Sequence, residues 1–179
     1  MVERVNLKMI SFGNPDTVTL TVAGYSTKGK SHIGGWSATL VHGQRQRIQY
    51  GFMPGVSGYR AELFALVTGL NSLKKRCSVT VRTATEYVYD SIYRLVDRHK
   101  KSDLWFCDVI RGKAKNSDLW IELLELSKIH KIITEWIPFR SKDLLTQDAF
   151  RNASKAARSR RSQDFRPATN RHRNYVSSR

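Results

Sequence analysis

Hydrophobic residues recur along this chain at two different spacings. Between residues 17 and 23, valine and leucine alternate with threonine, which is the period-two pattern of a half-buried strand. Within the segment 59–75, Leu63, Leu66 and Leu70 recur at three- and four-residue spacing, which is typical of an amphipathic helix. The same two patterns predict strands at 17–23, 34–41, 47–53, 78–83 and 131–138, and helices at 59–75, 85–96, 117–130 and 148–160.

The order of these elements predicts an α/β fold in which helices flank a mixed sheet of five strands. Short connections join the first three strands, which favours an antiparallel meander. The strand at 78–83 follows a helix, and such a strand–helix–strand unit predicts parallel pairing with the first strand. We expect a domain over residues 16–158, an arm or extra strand over 1–15, and a basic, mostly disordered tail over 159–179.

The charge of the chain predicts its kind of partner. There are 31 lysines and arginines against 15 acidic residues, a formal net charge of +16. Because such a surplus repels itself, we expect an acidic partner, with nucleic acid as the leading candidate. An acidic membrane is the rival, but no long apolar run or lipidation motif supports it. With no signal-peptide pattern, we expect an intracellular monomer in which Cys77 and Cys107 are reduced thiols.

Six short motifs follow one another along the predicted domain. They are Thr21-Val22-Ala23-Gly24-Tyr25-Ser26, Gly34-Gly35-Trp36, Arg60-Ala61-Glu62-Leu63-Phe64-Ala65, Thr83-Ala84-Thr85-Glu86-Tyr87-Val88, Lys115-Asn116-Ser117-Asp118-Leu119-Trp120 and Trp136-Ile137-Pro138-Phe139-Arg140. In this order they make residues 17–158 resemble the type 1 ribonuclease H family. The resemblance implies the mixed sheet of that family and cleavage of the RNA strand of RNA–DNA hybrids with two Mg²⁺ ions.

The resemblance also implies four carboxylates at the metal site, since Mg²⁺ prefers oxygen ligands. They come from the first strand, the first helix, the end of the fourth strand and the last helix. Glu62 occupies the helix position, whereas Ala23 and Ala84 stand at the first and third positions and offer no ligand atom. We therefore expect weak or absent Mg²⁺ binding and no cleavage by this chain. The intact residues around both alanines favour deliberate replacement of two aspartates over natural loss.

The fourth metal position, on the last helix, is open between two residues. By resemblance, the spacing of retroviral relatives counted from Trp136 without a gap implies Phe150 there, and a loop shorter by two residues implies Asp148. Asp148 is the chemically sensible ligand, with capping of the helix N-terminus as its alternative role. Asp143 is a more distant candidate. We expect positions 23, 62, 84 and 148 to converge at one rim of the sheet.

A surface for the substrate is implied by the same resemblance. Backbone groups at the first turn and helix start would contact RNA 2′-hydroxyls, and two arginines would each hold a phosphate. The basic stretch from Arg98 to Lys115 would grip the DNA strand, with Trp105 either anchoring the loop in the core or stacking on bases. The predicted contacts are Gly24, Tyr25, Ser57, Gly58, Tyr59, Arg60, Trp105, Lys113, Lys115, Asn116 and Arg140.

Three functions are therefore alternatives at this point. The first is a ribonuclease H that substitution has inactivated. The second is a naturally inactive nucleic-acid-binding module on the same fold. The third is a nuclease that acts on DNA, because one fold hosts several related activities.

Overall fold

The computed structural model describes residues 17–29, 32–96 and 104–165. These residues form a single sheet with helices packed against it. In chain order the elements are β1 (Thr17–Ser26), β2 (Ile33–His42), β3 (Arg45–Pro54), α1 (Gly58–Asn71), β4 (Ser78–Thr83), α2 (Glu86–Val96), α3 (Leu104–Ile110), α4 (Ser117–Ile129), β5 (Lys131–Trp136), α5 (Leu144–Ser159) and β6 (Gln163–Phe165).

The sheet has the strand order β5-β4-β1-β2-β3-β6. Neighbours β1, β2 and β3 pair antiparallel, and β4 pairs parallel with both β1 and β5. The predicted mixed α/β sheet, with its antiparallel meander and parallel strands, is thus confirmed. The number of strands differs from the prediction, because β6 adds a sixth strand along β3.

Strand β6 lies within the segment 159–179, which was predicted to be mostly disordered. Residues 163–165 of that segment pair antiparallel with β3. Asp164 accepts hydrogen bonds from Arg47 at 2.6 Å and from Gln49 at 3.3 Å. Tyr50 donates a hydrogen bond of 2.6 Å to Gln163. These polar contacts hold a strand that has no hydrophobic period. The predicted arm at 1–15 and the rest of the tail lie outside the described residues.

Alternation along β1 assigns the helices to the two faces of the sheet. Val18, Leu20 and Val22 belong to the main core, together with Leu63 of α1 and Trp120 of α4. Ala23, one position out of phase with them, packs instead against Ala149 and Ala153 of α5. Helix α5 approaches the sheet so closely that a Cβ added to Gly35 would lie 1.9 Å from the Ala153 carbonyl oxygen. Residue 23 therefore faces α5, away from the main core.

The last helix begins earlier than its hydrophobic pattern predicted. It starts at Leu144, and the Asp143 side chain caps it by accepting a 2.8 Å hydrogen bond from the Thr146 amide. The capping role considered for Asp148 therefore belongs to Asp143. A further short helix, α3, lies within the basic stretch where no helix was predicted. No helix among the described residues has the length and apolar character needed to cross a membrane.

Candidate active site

Three of the four predicted metal positions lie within β1, near the start of α1 and directly after β4. Pairing between the two parallel strands runs to Thr21 and Arg82. Ala23 lies two residues beyond it within β1, and Ala84 is the first residue after β4. Gly24 brings β1 onto the helix: a Cβ added there would lie 2.7 Å from the Glu62 Cβ. Only a residue without a side chain fits at this approach. Glu62 therefore lies against β1 at Gly24, one position after Ala23.

Glu62 is enclosed by this arrangement, with 3% of its surface exposed. Its carboxyl group accepts hydrogen bonds from the hydroxyls of Thr83 and Thr85, the second at 2.6 Å. The Thr85 amide in turn donates to the Thr83 hydroxyl oxygen at 3.0 Å. Burial raises the pKa of Glu62 to about 7, and the two threonine hydroxyls oppose that rise by stabilising the charged form. The protein thus satisfies this buried carboxyl with its own hydroxyls.

The threonines are the functional residues that sequence reasoning did not single out. They flank Ala84 in the motif Thr83-Ala84-Thr85, of which the sequence argument used only the alanine. A signal was present: two hydroxyl side chains with one residue between them project to the same side at the end of a strand. Their contact with Glu62, more than twenty positions earlier in the chain, depends on the packing of α1 on the sheet.

Helix α5 presents small and aromatic residues to this end of β1. Phe150 packs against the cluster of Ala23, Ala149 and Ala153. Its ring meets those of Tyr25 and Phe139 edge-on, with centroid separations of 5.7 Å and 4.9 Å. Asp148, two residues before Phe150, forms a 3.0 Å ion pair with Arg151 on the same helix. Phe150 thus packs against the cluster that contains Ala23, and Asp148 lies one residue before Ala149 of the same cluster.

The donor set does not fit a pair of Mg²⁺ ions. Two such ions need several hard oxygen ligands in nearly octahedral shells. Ala23 and Ala84 supply none, and the oxygens of Glu62 already accept hydrogen bonds from threonines. Over the ranges the structure describes, there is no group of three or more His, Cys, Asp and Glu side chains that could hold a metal ion. No catalytic step through a metal follows from these residues.

A cleft of about 590 Å³ opens beside Glu62. Its wall includes Thr85, the exposed Lys28 and His32 of the turn after β1, and five residues predicted from the motifs to contact nucleic acid. Those five are Gly24, Tyr25, Ser57, Gly58 and Tyr59. The start of α1 forms one side of the cleft, and the unpaired amides at a helix N-terminus favour anions. The cleft therefore combines backbone donors, aromatic rings and positive charge.

Comparison with known proteins identifies the family. The family model for RNase H matches residues 17–156. The ribonuclease H of Erythrobacter litoralis is 32% identical over 130 residues, which cover 73% of this chain and 89% of that protein. The ribonuclease H of Caldicellulosiruptor saccharolyticus is 34% identical over 113 residues, which cover 63% of this chain and 77% of that protein. The chain belongs to the ribonuclease H family. The resemblance inferred from the six motifs is confirmed.

Solved structures agree on the fold. The crystal structure of LC9-RNase H1, described as a type 1 RNase H with the type 2 active-site motif, matches with a TM-score of 0.69 at 17% identity, over 84% of this chain and 76% of that one. The foamy viral protease-reverse transcriptase in complex with an RNA/DNA hybrid matches with a TM-score of 0.57 at 15% identity, over 89% of this chain and 22% of that one. Enzymes of the ribonuclease H family are nucleases that generally depend on Mg²⁺.

Arg60, which follows Tyr59 of the cleft in the chain, forms one cluster with Asn116. The Arg60 guanidinium donates to both carboxylate oxygens of Asp118, at 2.9 Å and 2.6 Å, and to the Asn116 side chain at 3.2 Å. Hydrogen bonding from Arg60 holds the pKa of Asp118 below its ordinary value. A phosphate at Arg60 would therefore compete with a carboxylate already bound in bidentate geometry.

The other predicted contacts lie farther along the chain. Trp105 packs edge-on against the buried Trp120, with 5.4 Å between the ring centroids. The Arg94 guanidinium lies 5.0 Å from the centroid of the Trp105 ring. These contacts favour the anchoring role of Trp105 over the stacking role. Lys113 and Lys115 are exposed in the loop between α3 and α4, and Arg140 is exposed in the turn after β5. Their charges are accessible to a phosphate backbone.

Proposed function

We propose that this ribonuclease H family member binds RNA–DNA hybrids and does not cut them by metal-dependent hydrolysis. The observation that carries the proposal is the state of Glu62. The chain has Ala23 and Ala84 at the two positions where aspartates are expected beside Glu62. The Glu62 carboxyl group accepts hydrogen bonds from the hydroxyls of Thr83 and Thr85 instead of binding metal ions. Two-metal hydrolysis needs a water activated by one ion and a leaving oxygen stabilised by the other. A lone protein-bound carboxyl provides neither.

Binding has the support that hydrolysis lacks. Residues expected to hold the RNA strand by its 2′-hydroxyls line the cleft around Gly24 and Gly58. The net charge of +16 favours any polyphosphate, because neutralising phosphates releases their counterions. A related fold has been solved with an RNA/DNA hybrid in the foamy viral enzyme. The partner that these features favour is a hybrid duplex, recognised by shape and backbone more than by sequence.

The contacts of Phe150 favour a site that lacks three carboxylates over a site that lacks two. If Phe150 holds the fourth position, an aromatic ring stands where an acidic ligand would be needed. That ring packs against the rings of Tyr25 and Phe139. Natural loss of the metal site then explains the chain more simply than replacement of two aspartates. If Asp148 holds the position, restoring residues 23 and 84 alone rebuilds four carboxylates.

The experiment measures binding and cleavage on the same labelled duplexes. Fluorescence anisotropy of the unaltered chain with a hybrid, a DNA duplex and an RNA duplex is expected to show tightest binding to the hybrid, falling steeply with salt. Incubation with Mg²⁺ is expected to leave all three duplexes intact. Cleavage of the hybrid by the unaltered chain would overturn the proposal, and so would affinity that does not change with salt. Cleavage of the DNA duplex instead would identify a DNA-acting nuclease.

Restored variants separate the two origins of the inactive site. We expect A23D/A84D to stay inactive and A23D/A84D/F150D to gain Mg²⁺-dependent cleavage of the hybrid. Cleavage by A23D/A84D would instead support a ribonuclease H that has lost two aspartates. Glu62→Gln, added to whichever variant cuts, is the matched control, because it removes the one native carboxylate at the site and is expected to abolish the gained activity.

A further inference from the structure

One side of α5 carries positive charge that the cleft does not account for. Arg151, Lys155 and Arg158 are exposed and spaced by four and three residues, so they share one face of the helix. We call this set the α5 basic face. With Ser154 and Ser159 it lines an open groove of about 450 Å³. The opposite side of the helix is buried against the sheet through alanines, which fixes the orientation of the charged side.

The α5 basic face adjoins the cleft through one side chain. The Arg158 guanidinium lies 5.5 Å from the centroid of the Tyr25 ring and donates a 3.3 Å hydrogen bond to the Tyr25 hydroxyl. Tyr25 also lines the cleft beside Glu62. The two grooves are therefore adjacent, because a residue that lines one contacts a residue that lines the other. A chain of phosphates that leaves the cleft past Tyr25 would pass directly onto α5.

The charge and length of this face suit a phosphate backbone. Five basic residues and no acidic residue fall between positions 151 and 161, since Arg160 and Arg161 follow the helix. Asp148 offsets part of this charge through its 3.0 Å contact with Arg151. From Arg151 to Arg158 the helix rises about 10 Å, so the three charges can contact successive phosphates of one strand.

We infer that the α5 basic face is a second nucleic-acid site, which holds the phosphates of a strand that continues out of the cleft past Tyr25. This inference rests on the proposed binding of a hybrid in the cleft and adds a preference: a hybrid with a single-stranded extension binds more tightly than the same hybrid with blunt ends. The contacts are to phosphates, so the extension is held regardless of its sequence.

The test compares two probes and two matched variants by fluorescence anisotropy. One probe is a blunt hybrid, and the other carries in turn a 5′ or 3′ extension of about ten nucleotides, a length within the usual range of single-strand sites. The test variant is R151Q/K155Q, which leaves the Arg158–Tyr25 contact in place. The control variant is K74Q/R76Q, which removes the same charge from the exposed loop after α1, at the end of that helix opposite the cleft.

The unaltered chain is expected to bind one extended probe about tenfold more tightly than the blunt one. In R151Q/K155Q this preference is lost, the dependence of log affinity on log salt becomes shallower by about 1.4, and blunt binding stays within about threefold. The control variant keeps the preference. Both variants replace exposed side chains only, and circular dichroism is the check that they fold.

Each other outcome is informative. Tight blunt binding with no gain from either extension overturns this inference and leaves the proposed function standing. An equal loss for both variants shows a general charge effect and also overturns it. Equal displacement of the extended probe by polyglutamate and by single-stranded DNA would assign the face to acidic polymers in general and overturn the specific claim. No binding of any probe overturns the proposed function and this inference together.

Discussion

Replacing Glu62 with glutamine tests the central electrostatic feature of the site. The substitution keeps the shape of the side chain and removes its ability to ionise. The amide can still accept a hydrogen bond from Thr85 and can donate one to a hydroxyl oxygen. Glu62 is 3% exposed, so solvent does not screen the difference. The two forms of the protein therefore differ chiefly in whether a buried proton can be lost.

The magnitude follows from the pKa. Burial raises the pKa of Glu62 from an ordinary 4.5 to about 7. A carboxyl whose pKa is higher in the folded protein binds its proton more tightly there, so the stability it contributes is present below the unfolded pKa and is lost as the pH rises through the folded pKa. Between pH 4.5 and 8 this loss amounts to about 3 kcal/mol, at about 1.4 kcal/mol per pKa unit. The Glu62→Gln variant has no ionisable side chain at this position, so its stability does not contain this pH-dependent loss.

Urea unfolding at a series of pH values measures the effect. The free energy of unfolding of the unaltered chain, relative to Glu62→Gln, is expected to fall by about 3 kcal/mol from pH 4.5 to pH 8. Taking the difference removes the contributions that all other groups make to both proteins. Glu86→Gln, in the exposed first turn of α2, is the matched control for loss of one carboxylate. A difference between unaltered chain and Glu62→Gln that stays constant with pH would refute the reasoning.

Two further predictions concern stability. Gly35→Ala is expected to destabilise the fold by about 3 kcal/mol, because the new Cβ would lie 1.9 Å from the Ala153 carbonyl oxygen. The control is Gly58→Ala, whose Cβ would meet nothing nearer than 3.5 Å. Equal melting temperatures for the two variants would contradict the close packing of α5. A double-mutant cycle on Arg60 and Asp118, whose side chains are 32% and 58% exposed, is expected to give a coupling energy below about 1 kcal/mol in urea unfolding. A coupling of several kcal/mol would show that this pair is a major structural contact.

Patterns within short stretches of the sequence were sufficient to predict individual strands, the family and several residues of the cleft. Strand β4 has the bounds that its alternating residues predicted, since a buried strand needs only a run of apolar side chains at period two. The six motifs were sufficient for the family, and they led to the alanines at positions 23 and 84. They also led to the five residues that line the cleft around Glu62.

Other features could not be predicted because their cause lies far away in the chain. Strand β6 depends on the contact between Arg47 and Asp164, which are 117 positions apart. Asp143, the cap of α5, also pairs with Arg82 of β4 at 3.0 Å, across 61 positions of the chain. Periodicity reports neighbours within a few residues and carries no information about such pairs.

For the site, the sequence determined which residues are present, and the tertiary structure determined which of them are in contact. The sequence alone determined that two ligand positions hold alanine and that one glutamate is present, because composition at a motif position needs no coordinates. Only the tertiary structure decided that Glu62 is satisfied by Thr83 and Thr85, that Phe150 packs against the cluster containing Ala23, and that Arg158 joins α5 to the cleft. The physical reason is that hydrogen bonds and ring contacts act over a few ångströms, and packing of helices on the sheet sets which distant residues come that close.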